Sequence, residues 1–404
     1  MLDLRSNDGA AANAAPWDGN LQPVAGIYGA NASGKTTFFN AMSAMAQQVL
    51  ESYRSPRLLG EPFAFDSASA SHPTKWSATF IAGDGVCYAY GFSVFNRLVV
   101  EEWAEQYATA RPTLLFERKG SVIKYGTALK GANRAVEKTL RPNALYLSAA
   151  AAAGHAGLAP IFNWFDQHLQ VFEAGGYRPL VSKVIMALAS DPSRRARLAG
   201  MMRRADLGLS GLELHKRDLS DLQKSQIQRA AEAMQALTGE EIPFEGLNES
   251  FDVFGTHQVS GQEYLLPFNL ESDGTRAMLC HAFVIDEALR TGSTAVFDEI
   301  DASLHPLLVR ELVRVFQDPR LNPLQAQLIF TTHDVSLMEA GYGNGAQLGR
   351  DEIWFTEKDS AGCSTLVACA DYVPRTRENL ARRYMSGRYG GIPEQLDLVD
   401  PVLV

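Results

Sequence analysis

The sequence predicts an α/β protein, with a mixed sheet core, an antiparallel β-lobe and a helical insertion. Three observations carry this. The apolar run 24–28 enters a glycine-rich turn and leaves it as a helix. Residues 76–125 alternate with a period of two. Two later apolar runs, 294–300 and 327–332, end in acids or in a histidine, as parallel strands do where they deliver polar groups to one sheet edge. The expected division is a core from 1–60 and 250–404, a lobe at 61–130 and a helical insertion or lid at 131–249.

The turn after the first strand reads Gly29-Ala30-Asn31-Ala32-Ser33-Gly34-Lys35-Thr36-Thr37 and fits G-x-x-x-x-G-K-[ST]. Small residues let successive backbone N–H groups curl around a phosphate, and Gly34 allows close approach. Lys35 reaches the β- and γ-oxygens, and the Thr36 hydroxyl ligates Mg²⁺. A helix beginning near Lys35 carries Phe38, Met42, Met45 and Val49 on one face and aims its positive dipole end at the same anion.

Composition sets the frame. With 404 residues, 46% hydrophobic and 21% charged, the chain can bury the cores of two or three domains. A net charge of −9 argues against a chain-wide nucleic-acid or anionic-membrane surface, though not against a local patch. Cys87, Cys280, Cys363 and Cys369 form no C-x-x-C pair, which suits a reducing cytoplasm better than a disulfide frame or a zinc site. No apolar run approaches a bilayer span, and no signal-peptide core opens the chain, so a cytoplasmic protein without membrane contact is expected.

In order, residues 1–22 lack periodicity and read as a frayed lead-in. Residues 55–73 are loop-rich. Trp76, Ala78 and Phe80 pair across Gly83-Asp84-Gly85 with Val86, Tyr88, Tyr90 and Phe92 as a hairpin, 98–103 is a further strand, and 114–117 pairs with 122–125. A short helix at 133–141 stops at Pro142, and 143–147 reads as a brief strand or turn. Ile161, Phe162, Phe165, Leu169 and Phe172 form a helical face over 160–172. Further helices are expected at 179–188, 193–205 and 218–237, with Pro192 and either Ser190 or Asp191 marking a start and Gly239 a stop. A hairpin turns at Ser260-Gly261. Arg194, Arg195, Arg197, Arg203 and Arg204 offer either a phosphate-contacting patch for DNA or RNA or, by default, a solvated helix, since only Arg197 and Arg204 share a face.

The second half of the site comes late in the chain. A strand at 294–300 running beside the first strand would deliver Asp298 to hold Mg²⁺ through water and Glu299 to polarise the attacking water. The run 327–332 delivers His333 and Asp334 to the same edge, where an imidazole can bond the γ-phosphate. His305, before Pro306, is left open between a site role and opening a helix. Glu271-Ser272-Asp273-Gly274-Thr275-Arg276 precedes an apolar helix capped by Ser272, a second anion-facing helix start.

Taken together, G-A-N-A-S-G-K-T, E-S-D-G-T-R, V-F-D-E-I-D-A-S-L-H-P and F-T-T-H-D, in that order, resemble the RloA-type AAA-family ATPases, ABC/SMC-class proteins of restriction-linked and phage-defence loci. Pro62-Phe63, Leu115-Phe116-Glu117-Arg118, the segment 143–148 and the closing Tyr384-Met385-Ser386-Gly387-Arg388-Tyr389-Gly390 extend the resemblance over nearly the whole chain after Pro23. The resemblance implies an ABC-type P-loop NTPase head whose homodimer sandwiches two ATP molecules with Mg²⁺. It makes Lys35, Glu299 and the switch His333 the catalytic set. It assigns residues 29–37 to the phosphates, Thr36 and Asp298 to the metal, and Ser272 and Gly274 to the partner's γ-phosphate, with Asp301 in the loop between. It also implies a separate effector, often a nuclease or toxin, gated by the ATPase.

Two features depart from the family. Relatives begin with strands of the form F-x-x-x-N-F-x-S-F, and none is visible, so either translation starts upstream or the sheet edge is covered otherwise. No Q-loop glutamine is identified, and Gln47 and Gln48 read as a solvated helix face. Other classes are a nucleotide-sensing scaffold with negligible turnover, a DNA-associated SMC-like ATPase and a transporter motor, the last disfavoured by the missing L-S-G-G-Q. Without an N-K-x-D guanine reader a GTPase is not indicated, and ATP over GTP rests on the resemblance.

Overall fold

A computed structural model describes residues 2–5, 21–173, 177–217, 250–339, 347–372 and 379–390, apart from a few single positions, and isolated positions between 218 and 249. The expected helix at 218–237 and its stop at Gly239 lie almost wholly outside the described residues. The chain divides into two units, one of residues 1–174, 288–301 and 305–404 and the other of 175–287 and 302–304.

The first unit is built on a six-stranded sheet. Its strands are β1 (Val24–Tyr28), β7 (Leu169–Phe172), β11 (Thr294–Phe297), β12 (Gln327–Thr331), β13 (Ile353–Lys358) and β14 (Ser364–Ala368). They lie in the order β14-β13-β1-β12-β11-β7, parallel except for β14. β1 and β11 are buried along their whole length, which is why they read as unbroken apolar runs. The acid-bearing strand does not run beside β1 as the sequence suggested. β12 lies between them, pairing Val24 with Leu328 on one side and Thr294 with Gln327 on the other. All five parallel strands nevertheless end at one edge, since parallel register aligns their carboxyl ends.

Helix α1 (Lys35–Glu51) buries Phe39, Met45, Ala46 and Val49, while Phe38 and Met42 are half-buried. Gln47 is exposed, but Gln48 is buried and donates to Ala44 O at 3.2 Å, correcting its place on a solvated face. The lobe is a five-stranded antiparallel meander, β2 (Thr74–Ile81), β3 (Cys87–Phe95), β4 (Leu98–Tyr107), β5 (Thr113–Lys119) and β6 (Val122–Tyr125). Helices α2 (Asn133–Thr139), α3 (Tyr146–Ala152) and α4 (Ala159–Asn163) follow.

A buried pair ties lobe to core. The Glu102 carboxylate on β4 accepts from Tyr146 N at 2.6 Å, Leu147 N at 2.9 Å, the Tyr90 hydroxyl at 3.0 Å and Arg118 at 3.4 Å. It therefore caps α3 from another element, satisfying N–H groups that Leu145 has no side chain to meet. Burial pushes the Glu102 carboxyl upward, opposed by Arg118 and these hydrogen bonds.

The sequence reading of one long helix over 160–172 is corrected. α4 passes into a π-turn at Trp164–His168, and Leu169 and Phe172 then belong to β7. Phe165 still packs as a helical residue, but the backbone groups of 169–172 are spent on pairing with β11.

The second unit holds α5 (Tyr177–Ser190), α6 (Pro192–Arg204), a three-stranded sheet of β8 (Leu209–Arg217), β9 (Ser250–Val259) and β10 (Gln262–Pro267), and the start of α7 (Asp273–Thr291). The boundary expected at 249 is not where the units part. β9 is bound into a ladder with β8, from Leu209 opposite His257 to Arg217 opposite Ser250, so residues 250–287 group with the insertion. Conversely, 131–174 stays with the sheet that β7 completes. Asp191 caps α6 through Arg194 N at 3.0 Å, as the Pro192 start predicted. Of the arginine group, Arg197 is held by Asp286 at 2.6 and 3.1 Å, and Arg194 by Asp286 at 3.3 Å and by Glu287. These two are committed to α7, so they are not available as a free phosphate patch.

Helices α8 (Pro306–Gln317) and α9 (Leu380–Met385) complete the first unit. His305 caps α8, its Nδ1 accepting from Leu307 N at 3.2 Å, so it does open a helix.

Candidate functional site

The site lies in the first unit, at the carboxyl edge of its sheet. Between β1 and α1 the loop carries two left-handed residues, Ala32 at φ 64° and Gly34 at φ 117°. Such turns point successive N–H groups into one concavity. Gly34 is the N-cap of α1 and no side chain caps it. Gly29 is needed for space, because a β-carbon there would run into Thr356 Oγ1 and Ser33 Oγ. At Gly34 a β-carbon would also meet Ser364 Cβ at 2.6 Å.

Lys35 is 6% exposed and folds back over the loop, donating to Gly29 O at 2.8 Å and Ala30 O at 3.1 Å. Burial lowers its pKa, while the fields of Glu299, Asp298 and Asp301 pull it up. Asn31, Ala32, Thr36 and Thr37 are exposed and Ala30 half-buried, so the loop's outer surface and the Thr36 hydroxyl are open. Ser33 is not. Its hydroxyl pairs with Thr356 Oγ1 at 2.5 Å, and Thr356 donates on to Tyr28 O at 3.2 Å, so this side chain braces the loop against β13.

At the end of β11, Asp298 is buried and accepts from the Thr331 hydroxyl at 2.6 Å. Glu299 N donates to that same Thr331 oxygen at 2.7 Å. One hydroxyl on β12 thus holds the Asp298 carboxylate and the backbone of Glu299. Glu299 sits at φ 52°, a left-handed conformation for a side-chain-bearing residue, at a cost of about 1 kcal/mol or more that its surroundings must hold. At the end of β12, His333 is exposed and its N–H donates to Asp301 Oδ2 at 3.4 Å. Asp334 caps the next turn through Ser336 N at 2.9 Å. Asp301 Oδ1 is buried without a hydrogen-bond partner among the described residues.

These residues fit a nucleoside triphosphate with Mg²⁺. The glycine cradle, the desolvated Lys35, the open Thr36 hydroxyl and the fixed Asp298 supply what phosphate and a hard, largely hydrated cation need. Among the described residues no group of three His, Cys, Asp or Glu forms a metal cage. A magnesium ion shared with phosphate oxygens does not require one.

Ser272 and Gly274 belong to the second unit. Ser272 is exposed, accepts from Thr275 N at 3.1 Å and bonds Thr275 Oγ1 at 2.8 Å. A β-carbon on Gly274 would come within 2.8 Å of Ser303 O.

Sequence reasoning missed four residues. Thr331 was visible only as part of a strand. Thr356 and Ser364 lie on β13 and β14, far along the chain, and no motif marks them. The Tyr384 hydroxyl accepts the Gly29 N–H, and its ring stacks on Phe355 at 5.4 Å and meets Tyr28 edge-on at 5.9 Å. Tyr384 opens the closing motif, which could have flagged it.

Comparison with known proteins adds the following. Residues 24–123 and 178–339 match the family profile described as "AAA domain, putative AbiEii toxin, Type IV TA system". No curated protein is significantly similar. Among solved structures, the chain is similar to an SMC head bound to the C-terminal winged-helix domain of ScpA, at 13% identity and TM-score 0.40, covering 86% of this chain and 90% of that one. It is similar to a Pyrococcus furiosus SMC head with an extended coiled coil bound to the C-terminal domain of ScpA, at 13% identity and TM-score 0.34, covering 91% and 93%. A Pyrococcus yayanosii SMC head with a coiled coil and joint gives 13% identity and TM-score 0.28, covering 60% and 36%. No helix among the described residues is long and apolar enough to cross a membrane.

Proposed function

The chain belongs to this AAA-domain family, which its profile matches over more than half the length, and from that premise we propose that it is a Mg²⁺-dependent ATPase acting as a dimeric switch. One observation carries the reading: β1, which enters the glycine loop, pairs in parallel with β12, and β12 with β11, so the loop bearing Lys35 and the strand ends bearing Asp298, Glu299 and His333 share one sheet edge. On this reading Gly29 to Thr37 hold the phosphates, Thr36 and Asp298 hold the metal, and Glu299 orients a water. Bound Mg²⁺ would neutralise charge on the phosphate oxygens. The chain's part is to keep Lys35 desolvated, to hold the Asp298 carboxylate and the Glu299 backbone through Thr331, and to place His333 beside the leaving phosphate with Asp301 steadying its backbone.

Ser272 and Gly274 would meet the nucleotide of a second copy, as in the RloA-type proteins the sequence resembles. The same resemblance makes the cytoplasmic dimer the controller of a separate nuclease or toxin in antiviral defence. The test is Glu299→Gln. It should retain ATP binding while phosphate release in a single turnover falls about 100-fold or more, the scale of a lost general base. Release at the parental rate overturns the assignment. Negligible release from the parent itself favours a nucleotide-sensing scaffold.

A further inference from the structure

β1 pairs with β13 as far as Tyr28 opposite Phe355, and the chain then leaves the ladder at Gly29, which is buried. A buried N–H past the end of a ladder needs an acceptor from elsewhere. The Tyr384 hydroxyl, on the short helix α9, accepts the Gly29 N–H. On the other side of the same peptide bond, Tyr28 O accepts from the Thr356 hydroxyl at 3.2 Å. The peptide plane that opens the glycine loop is therefore gripped at its oxygen and at its hydrogen, by side chains from two elements far along the sequence. One carbonyl further on, Gly29 O accepts from Lys35 Nζ at 2.8 Å. Whatever fixes Gly29 bears directly on where that ammonium is anchored.

Tyr384 is itself firmly seated. It is buried, and its ring stacks on Phe355 at 5.4 Å, as does the ring of Tyr389 at 5.0 Å. Tyr372 meets Tyr389 edge-on at 5.1 Å and donates its hydroxyl to Glu357 at 2.9 Å. Asn379 caps α9 through Arg382 N at 2.8 Å, and Gly387 N closes the turn onto Tyr384 O at 2.9 Å. Such packing leaves the Tyr384 ring one place to lie, which a hydroxyl needs if it is to hold one N–H in one direction. The stacking would be served equally by a phenylalanine. The oxygen is the part that packing does not call for.

We propose that Tyr384 is a positioning residue for nucleotide binding: its hydroxyl sets the orientation of Gly29, and the Gly29 carbonyl sets that of Lys35. The inference rests on the phosphate-loop reading and adds to it a part played by the segment 384–390. Tyr384 acts through the loop backbone alone, so its contribution passes to the phosphates by way of the lysine.

Calorimetric titration of the full chain with ATP and Mg²⁺ tests this through Tyr384→Phe, which keeps the ring and removes the oxygen. Leaving the buried Gly29 donor bare should weaken ATP binding about 5-fold or more. Tyr372→Phe removes a hydroxyl from the same aromatic cluster, its bond to Glu357, and should bind ATP as the parent does. In a Lys35→Ala background, Tyr384→Phe should change the affinity by no more than about twofold, because the ammonium it positions is gone. Parental affinity in Tyr384→Phe overturns the proposal. So does an equal loss in Tyr372→Phe, which would mark a general loosening of the cluster. A full-sized Tyr384→Phe loss on top of Lys35→Ala overturns it as well, since the hydroxyl would then not act through the lysine. Lys35→Ala alone tests the reading beneath: if it leaves ATP binding intact, the phosphate-loop reading fails.

Discussion

Two helices in this protein begin beside a glycine in a turn of small polar residues, and they use their first N–H groups in opposite ways. At α1 the N-cap is Gly34, no side chain bonds the helix start, and Lys35 reaches back to loop carbonyls. At α7 Ser272 accepts from Thr275 N at 3.1 Å, so a donor is already satisfied by the chain itself. The glycines differ too. Gly34 is required by its φ of 117°, whereas Gly274 is required by the nearness of Ser303 O. An unspent helix start is an anion site in waiting. A capped one must recruit its ligand through the exposed serine hydroxyl and, on the proposed reading, from another copy.

That contrast can be broken by substitution, beginning where the effect should be greatest. Lys35→Ala removes a cation whose bonds to charged oxygens are each worth about 1.5–3 kcal/mol, so ATP affinity measured by calorimetry should fall about 100-fold or more. Gly34→Ala forces a side chain into left-handed backbone against Ser364. It should cost about 1–3 kcal/mol in denaturant unfolding, and it should weaken ATP binding with it. Gly274→Ala crowds the Ser303 carbonyl at a cost of about 1–2 kcal/mol, yet ATP affinity of the monomer should not change. The smallest effect belongs to Ser272→Ala, which loses a helix cap worth about 1 kcal/mol in a thermal melt and likewise spares binding. Equal losses of ATP affinity at Gly34 and Gly274 would erase the distinction between the two turns.

Much of this was readable because it is local. A glycine loop between an apolar strand and a helix, alternation in β2, and the helix start at Pro192 all depend on neighbours within a turn or two. What misled was periodicity without tertiary context. Ile161, Phe162, Phe165, Leu169 and Phe172 fit a helical face, yet β11 supplies backbone partners that draw 169–172 into the sheet. Gln48 and Glu102 are polar residues whose burial no spacing announces. Each is paid for by a bond formed only after folding, to Ala44 O for one and to the start of α3 for the other.

By itself the sequence determined the candidates for phosphate chemistry on the proposed reading, because Lys35, Thr36, Asp298, Glu299 and His333 lie at the ends of runs whose period names the element. Only the tertiary structure decided that β12 separates the two motif strands, and that Thr331 therefore reaches the Asp298 carboxylate and the Glu299 backbone. It also decided that Thr356, Ser364 and Tyr384 close around the glycine loop. The reason is physical. Strand order and long-range side-chain bonds are settled by competition among all buried surfaces and backbone partners at once, and no short window of residues contains that competition.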